Sequence, residues 1–361
     1  MRLRERIRVL VIDDSAFSRQ TITRMLETSP LVEVIGRARD GEDALRMTLE
    51  LKPDLITLDL EMPRMDGFTV LRLIMSKRPT AVLVISGRAG QEDVFRALDL
   101  GAIDFIAKPT LHATVELQTI QQELIRKVHA CRDLRIEKVA DQIQRAPSTL
   151  KRQPRDATGN SPATVVIGAS TGGPSALMRV LSAFSEPPPC AMFLAQHMPK
   201  GFTQGFAERL NRLTPFSVRE AEGGEVPTGG TLLIAPGGSH LELESRRGRI
   251  VTRVSPSGSE DKYIPSIDRL FASAAKHFGR DLLAVLLTGM GDDGRAGALD
   301  VRECGGTVIA ESRKTAVIFG MPQQAIRAGA VDKVLPLGEI PAAIQSGVDR
   351  SEGSSDQRES E

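Results

Sequence analysis

One alternation, run through twice, constrains this chain more than anything else in it. Apolar runs at 7–12, 32–35, 55–58, 81–85 and 104–107 are separated by stretches of helical spacing around 18–27, 43–51, 68–75, 92–98 and 114–127. Short strands joined through helices need crossover connections, and crossovers build a parallel sheet. From residue 164 the pattern restarts, with strands expected at 164–167, 191–194, 231–235, 282–288 and 307–310. Helices are expected there at 174–183, 202–210, 266–278, 295–303 and 322–328. The stretch from about 145 to 162 has Pro, Ser, Thr and Gly and no period, as a linker does. The helix preceding it is compatible with extension past Cys131. The expected fold class is α/β, two doubly wound domains. The boundaries are 1–127, a linker at 128–162, a mostly parallel second domain at 163–348, and a polar tail at 349–361 expected to be disordered.

A chain of 361 residues accommodates two such domains. Its 47 basic and 46 acidic side chains nearly cancel, which argues against a protein built to coat nucleic acid or an acidic membrane. Trp is absent and Tyr occurs once, leaving little for base stacking. The three cysteines, Cys131, Cys190 and Cys304, form no paired motif and fit a reducing, cytoplasmic setting. The basic start leads into an apolar run that stops at Asp13, too short for a signal peptide, and no run is long enough to span a membrane.

In a parallel sheet, functional groups collect at the carboxyl ends of strands. Those ends carry Asp13 and Asp14, Asp59, Ser86 and Lys108. Three carboxylates in one crevice repel one another unless a cation lies among them, and Mg²⁺, hard and oxygen-seeking, suits that donor set. Lys108 adds a point charge for a phosphoryl group and Ser86 a hydroxyl. One carboxylate is then available as a nucleophile toward phosphorus. The bland possibility is that an acid such as Asp14 merely caps the following helix.

The segments VLVIDDS, TLDLEMPRMDGF, VISG and DFIAKP resemble the response-regulator receiver domain of two-component signalling, over residues 7–127. The resemblance implies a flavodoxin-like five-stranded sheet, Asp59 as phosphoacceptor, and Asp13 and Asp14 holding Mg²⁺ with it. It also implies Lys108 as the ion-pairing lysine, with Ser86 and Phe105 as the residues that report phosphorylation.

The second domain opens with an apolar strand leading into Gly168-Ala169-Ser170-Thr171-Gly172-Gly173-Pro174, a G-x-S-x-G at a strand-to-helix turn. Such a turn presents a serine at the sheet edge beside backbone N–H groups. It is also a turn that simply binds phosphate or packs. A nucleophilic serine needs a base and an orienter. His197, two residues past a strand, is favoured over His240, on a possible hairpin, and over His277, on a helix surface. The turn Gly289–Gly294 carries Asp292 and Asp293; Asp293 either orients the imidazole or caps the helix near Arg295. The same turn reads as G-x-G-x-x-G, with Glu311 at the spacing of a ribose-binding acid, so a dinucleotide-binding enzyme is a competing reading. A DNA-binding output domain and an inert phosphorylation-dependent scaffold also compete for this half of the chain.

GASTGGP, QHMP followed by GFTQGFAERLN, IAPGGSH, PSIDRLF and LLTGMGDDGRAG resemble the catalytic domain of the chemotaxis protein-glutamate methylesterases, the CheB type. Receiver, linker and this domain, in that order, match the family over about 7–345. The resemblance implies Ser170 as nucleophile, His197 as base, Asp293 as orienter and an oxyanion hole at the backbone of Met290. It implies hydrolysis of glutamate γ-methyl esters and deamidation of glutamines on the cytoplasmic helices of chemoreceptors. A chemotaxis histidine kinase is the implied phosphodonor and Mg²⁺ the cofactor of phosphorylation, with no cofactor for the esterase and no nucleic acid or membrane insertion. Receiver phosphorylation is expected to relieve inhibition of the catalytic domain. The chain departs from the pattern at Tyr263, where relatives often carry His.

Overall fold

The computed structural model describes residues 6–86, 91–108, 114–133 and 164–355. They form two compact units dividing between Arg145 and Ala146, inside the expected linker.

The first unit runs β1 (Ile7–Ile12), α1 (Ala16–Glu27), β2 (Val32–Ala38), α2 (Gly41–Leu51), β3 (Leu55–Leu58), α3 (Gly67–Lys77), β4 (Ala81–Ser86), α4 (Gln91–Asp99), β5 (Asp104–Ala107) and α5 (Thr114–Ala130). All pairings are parallel, in the order β2-β1-β3-β4-β5. Val9, Leu10, Val11 and Ile12 of β1 are buried, as are all four residues of β3, because both sheet faces are covered. The order reverses between β1 and β3, which opens a crevice at their carboxyl ends. Side chains start the helices beside it: Ser15 Oγ accepts from the Ser18 amide, Asp40 from Asp43 and Asp66 from Thr69. The cap of α1 is therefore Ser15, not Asp14. Helix α5 continues to Ala130, and a 3₁₀ turn follows at Cys131–Asp133. The first six residues assigned to the linker thus continue the first unit, and 134–162 lie outside the described residues.

The second unit runs β6 (Thr164–Ala169), α6 (Gly173–Leu181), β7 (Ala191–Gln196), α7 (Phe202–Leu213), β8 (Ser217–Glu220), β9 (Thr231–Ile234), β10 (Ser239–Arg246), β11 (Arg249–Pro256), α8 (Ile267–Phe278), β12 (Leu282–Leu286), α9 (Arg295–Glu303), β13 (Thr307–Glu311), α10 (Met321–Arg327), β14 (Lys333–Leu335) and α11 (Ile340–Ser355). Seven strands form a parallel sheet in the order β14-β13-β12-β6-β7-β9-β8. The first strand, β6, lies between β7 and β12, so the switch point falls there. Phe193, Leu233, Phe271 and Leu286 sit in a core shared by the sheet, α8 and the hairpin.

Three departures from the expected pattern have local causes. Strands β10 and β11 form an antiparallel hairpin set apart from the sheet. One face carries Glu242, Glu244 and Arg253, which hides the other, where Leu241 and Leu243 lie opposite Val254 and Thr252 and pack on the core. The two-residue turn at Arg247 (φ 53) and Gly248 (φ 78), both left-handed, is what a tight hairpin requires. β8 and β14 are too short and too polar to register as strands. The tail expected to be disordered from 349 is helical to Ser355 in α11. Ile340, Ile344 and Val348 nucleate that helix against the core, and extending a helix costs far less than starting one.

Candidate functional site

Each unit gathers its chemistry at its switch point. In the first, Asp13 and Asp14 follow β1, Asp59 follows β3 and Lys108 follows β5. One carboxylate oxygen from each of Asp13, Asp14 and Asp59 lies within 4.8 Å of the others. Lys108 Nζ donates to Asp59 Oδ2 at 2.7 Å and lies 2.9 Å from Asp13 Oδ2, close enough for an ion pair but not aligned as a hydrogen bond. Burial pushes the Asp59 and Asp13 carboxyls above the ordinary carboxylate range, with Lys108 opposing. Burial would lower Lys108, but its two acidic partners hold it above the usual lysine value. Buried acids in excess of one ammonium leave negative charge uncompensated, and an all-oxygen set of this size suits a hard divalent ion. Asp13, Asp14 and Asp59 therefore fit Mg²⁺.

Phe105 is buried in β5. Its carbonyl accepts from the Lys127 ammonium at 2.6 Å, and that ammonium also pairs with Asp104 and Glu123. This buried lysine on α5 is not visible in the sequence, where it looks like any surface lysine. Ser86 closes β4; its side chain lies outside the described residues.

In the second unit the loops after β6, β7 and β12 converge. Ser170 follows β6; its amide donates to the Thr288 carbonyl at 3.0 Å. Gln196, at the end of β7, donates from its side-chain amide to the carbonyls of Ser170 (2.9 Å) and His197 (3.1 Å), tying the two strand ends together. His197 Nδ1 lies 3.1 Å from Ser170 Oγ, and its Nε2 lies 2.7 Å from Asp293 Oδ2. A carboxylate only accepts, so Nε2 carries the proton and donates to Asp293. The Nδ1 lone pair then faces the Ser170 hydroxyl, which donates to it.

Asp293 is buried, with 1% of its side chain exposed. Burial alone would raise its carboxyl, but the His197 bond and the amides of Ile267 (2.8 Å) and Asp268 (3.0 Å) hold it below the ordinary range. Those amides are the first of α8, whose N-cap is Ser266, so the positive end of that helix holds the charge. The capping role at the helix near Arg295 survives only in the bond that Asp293 accepts from the Gly294 amide at 3.1 Å.

Helix α6 begins on Gly172 in the left-handed region (φ 78), with no capping side chain and with a proline in its first turn. A Cβ on Gly172 would meet Val317 at 2.8 Å, so a side chain there is excluded twice over. On the other flank, a Cβ on Gly289 would lie 2.7 Å from Ser170 Cβ, which presses the turn carrying Met290 directly against the serine. Among the described residues the Met290 amide has no protein acceptor.

The other histidines are used elsewhere. His240 is fully buried; its Nδ1 accepts from the Ser266 amide at 3.0 Å and its Nε2 faces Asp261 at 2.9 Å. It braces the segment entering α8 and does not reach Ser170. His277 lies in the last turn of α8. The dinucleotide reading fails on Glu311, which is fully buried and accepts from the Thr288 amide at 2.8 Å.

The family model for CheB methylesterase matches residues 165–344, and that for the response regulator receiver domain matches residues 9–120. The protein-glutamate methylesterase/protein-glutamine glutaminase 3 of Geobacter sulfurreducens is 46% identical over 358 residues, covering 94% of this chain and 96% of that protein. The chain belongs to the CheB methylesterase family. A second member, protein-glutamate methylesterase/protein-glutamine glutaminase 1 of Myxococcus xanthus, is 48% identical over 340 residues, covering 94% of this chain and 96% of its own. The crystal structure of the Thermotoga maritima CheB methylesterase catalytic domain is 40% identical, with a TM-score of 0.50, and covers 52% of this chain and 99% of that one. Membership of the CheB family sets aside a DNA-binding output domain. No described helix is long and apolar enough to cross a membrane.

Proposed function

We propose that this chain is a phosphorylation-activated serine hydrolase that acts on chemotaxis receptors. It demethylates their glutamate γ-methyl esters and deamidates their glutamines. The observation that carries the chemistry is the hydrogen-bonded chain from Ser170 through His197 to Asp293, at 3.1 and 2.7 Å.

Ser170 Oγ attacks the ester carbonyl while Nδ1 of His197 takes its proton. Asp293, anionic and fixed on the first amides of α8, stabilises the imidazolium. The oxygen of the tetrahedral intermediate is met by the Met290 amide in the turn pressed against Ser170. His197 returns the proton to the departing methoxide, releasing methanol, or to the departing amide, releasing ammonia. Water, deprotonated by the same nitrogen, then cleaves the acyl-enzyme and leaves glutamate.

In the receiver, Asp59 accepts the phosphoryl group from a histidine kinase, Lys108 pairs with the new charge, and Ser86 and Phe105 respond to it. Asp13, Asp14 and Asp59 would hold Mg²⁺, which when bound neutralises charge on the phosphoryl oxygens. Phosphorylation raises hydrolysis by relieving inhibition of the catalytic unit, and it can do so only to the extent that phospho-Asp59 favours the released state over the inhibited one. The esterase itself needs no cofactor, and the protein works in the cytoplasm on the receptors' cytoplasmic helices.

A fluorophosphonate probe tests the nucleophile. Labelling at Ser170, identified by mass spectrometry and accompanied by loss of methanol release, supports the reading. Label on another residue with methanol release lost to the same degree rejects it.

A further inference from the structure

We propose that Tyr263 is a positioning residue for His197; this rests on the serine hydrolase reading. The Tyr263 ring lies stacked on the imidazole, 5.1 Å between centroids and 5° from parallel. The bonds from His197 to Ser170 and Asp293 lie in the imidazole plane and leave its faces undetermined. Tyr263 supplies a flat, apolar wall for one face.

The wall is itself anchored. The Tyr263 hydroxyl donates to Asp292 Oδ1 at 2.8 Å, and the same oxygen accepts from Lys262 Nζ at 2.7 Å. That ammonium also lies over the phenol ring, 4.7 Å from its centroid. At Gly291 (φ 94) a Cβ would fall 2.2 Å from the hydroxyl, so ring and turn are in direct contact. The turn so gripped is the one that carries Met290 and Asp293. Tyr263 thereby ties the plane of the imidazole to the segment bearing its orienter and its oxyanion donor.

The ring also discriminates between states of His197. A neutral imidazole gains only stacking from it, whereas the imidazolium formed as Ser170 attacks places a cation over a π face. An interaction stronger in the transition state than in the ground state appears in kcat and not in KM.

The test is methanol release by the full chain, with kcat and KM measured separately and a thermal melt for each variant. Tyr263→Leu removes the ring, and we expect kcat to fall about 10-fold with KM within about twofold. Tyr263→Phe keeps the ring and loses the anchor, so kcat should fall no more than about 3-fold. Tyr263→His restores a flat ring and should recover most of what Leu loses. Tyr263 is only half-buried, so these variants should fold; if Leu does not, Tyr263→Gln takes its place under the same expectation. Wild-type kcat in the ringless variant, a loss confined to KM, or an equal loss in Phe and Leu would overturn the proposal. Ser170→Ala runs alongside: turnover there would sink the hydrolase reading itself, a result distinct from any of these.

Discussion

The two units place their sites at the same point of the same kind of sheet, yet they build them from different materials. Around the receiver pocket, α1, α2 and α3 each begin on a side-chain cap, from Ser15, Asp40 and Asp66. In the catalytic unit, α6 and α9 begin on glycines in the left-handed region with no side-chain cap. Capped helices leave the receiver's polar work to charged side chains, of which it has an excess. Uncapped glycine turns bring backbone against backbone, as Gly289 does against Ser170. On the proposed function one pocket stores a charge and the other stabilises a fleeting oxyanion, and the contrast makes separable predictions.

The largest effect is expected at the orienter. Asp293→Asn should lower kcat by roughly 10²–10⁴-fold in methanol release, because the amide presents a donor to Nε2 and favours the wrong tautomer. A loss below tenfold would mean that α8, not its captured carboxylate, orients His197. On the receiver side, Asp59→Asn should bring the ratio of rates with and without a small-molecule phosphodonor down to about one, since no phosphoryl acceptor remains. A surviving response would place the phosphoacceptor elsewhere.

A smaller effect is expected behind the site. His240→Leu leaves the Ser266 amide and Asp261 without their partner and should cost about 1–3 kcal/mol in denaturant unfolding. Unchanged stability would deny the brace. The smallest effect depends on pH. Burial pushes the Asp268 carboxyl up from 3.8 to about 6, the Gly297 amide opposing and Asp293 adding to it. Folding thus favours its neutral form, so its contribution is complete below about pH 4 and is lost as pH rises through 6. The melting temperature of Asp268→Asn should match wild type near pH 4 and exceed it by a few degrees at pH 7. A gain of the same size at both pH values would contradict this.

The sequence made the receiver's strand-end acids readable because each follows an apolar run in a parallel α/β pattern. Ser170 and His197 were readable in the same way. The sequence left Asp293 open between two roles, since both put an acid in a glycine turn. Only the three-dimensional fold brings His197 Nε2 and the first amides of α8 onto its carboxylate. The hairpin was legible only at His240, because charged residues alternate with its buried ones. Lys127, Gln196 and Tyr263 act through partners 22, 26 and 66 residues away, distances over which no local pattern speaks.

The central claim is that one unit receives a charge and the other hydrolyses an ester in response. It is tested most directly by methanol release from methylated receptor membranes, with and without a small-molecule phosphodonor and Mg²⁺, in wild type, Ser170→Ala and Asp59→Asn. The account predicts release that vanishes with Ser170 and rises with phosphodonor only when Asp59 is present. Release that persists in Ser170→Ala, or that rises equally in Asp59→Asn, would contradict it.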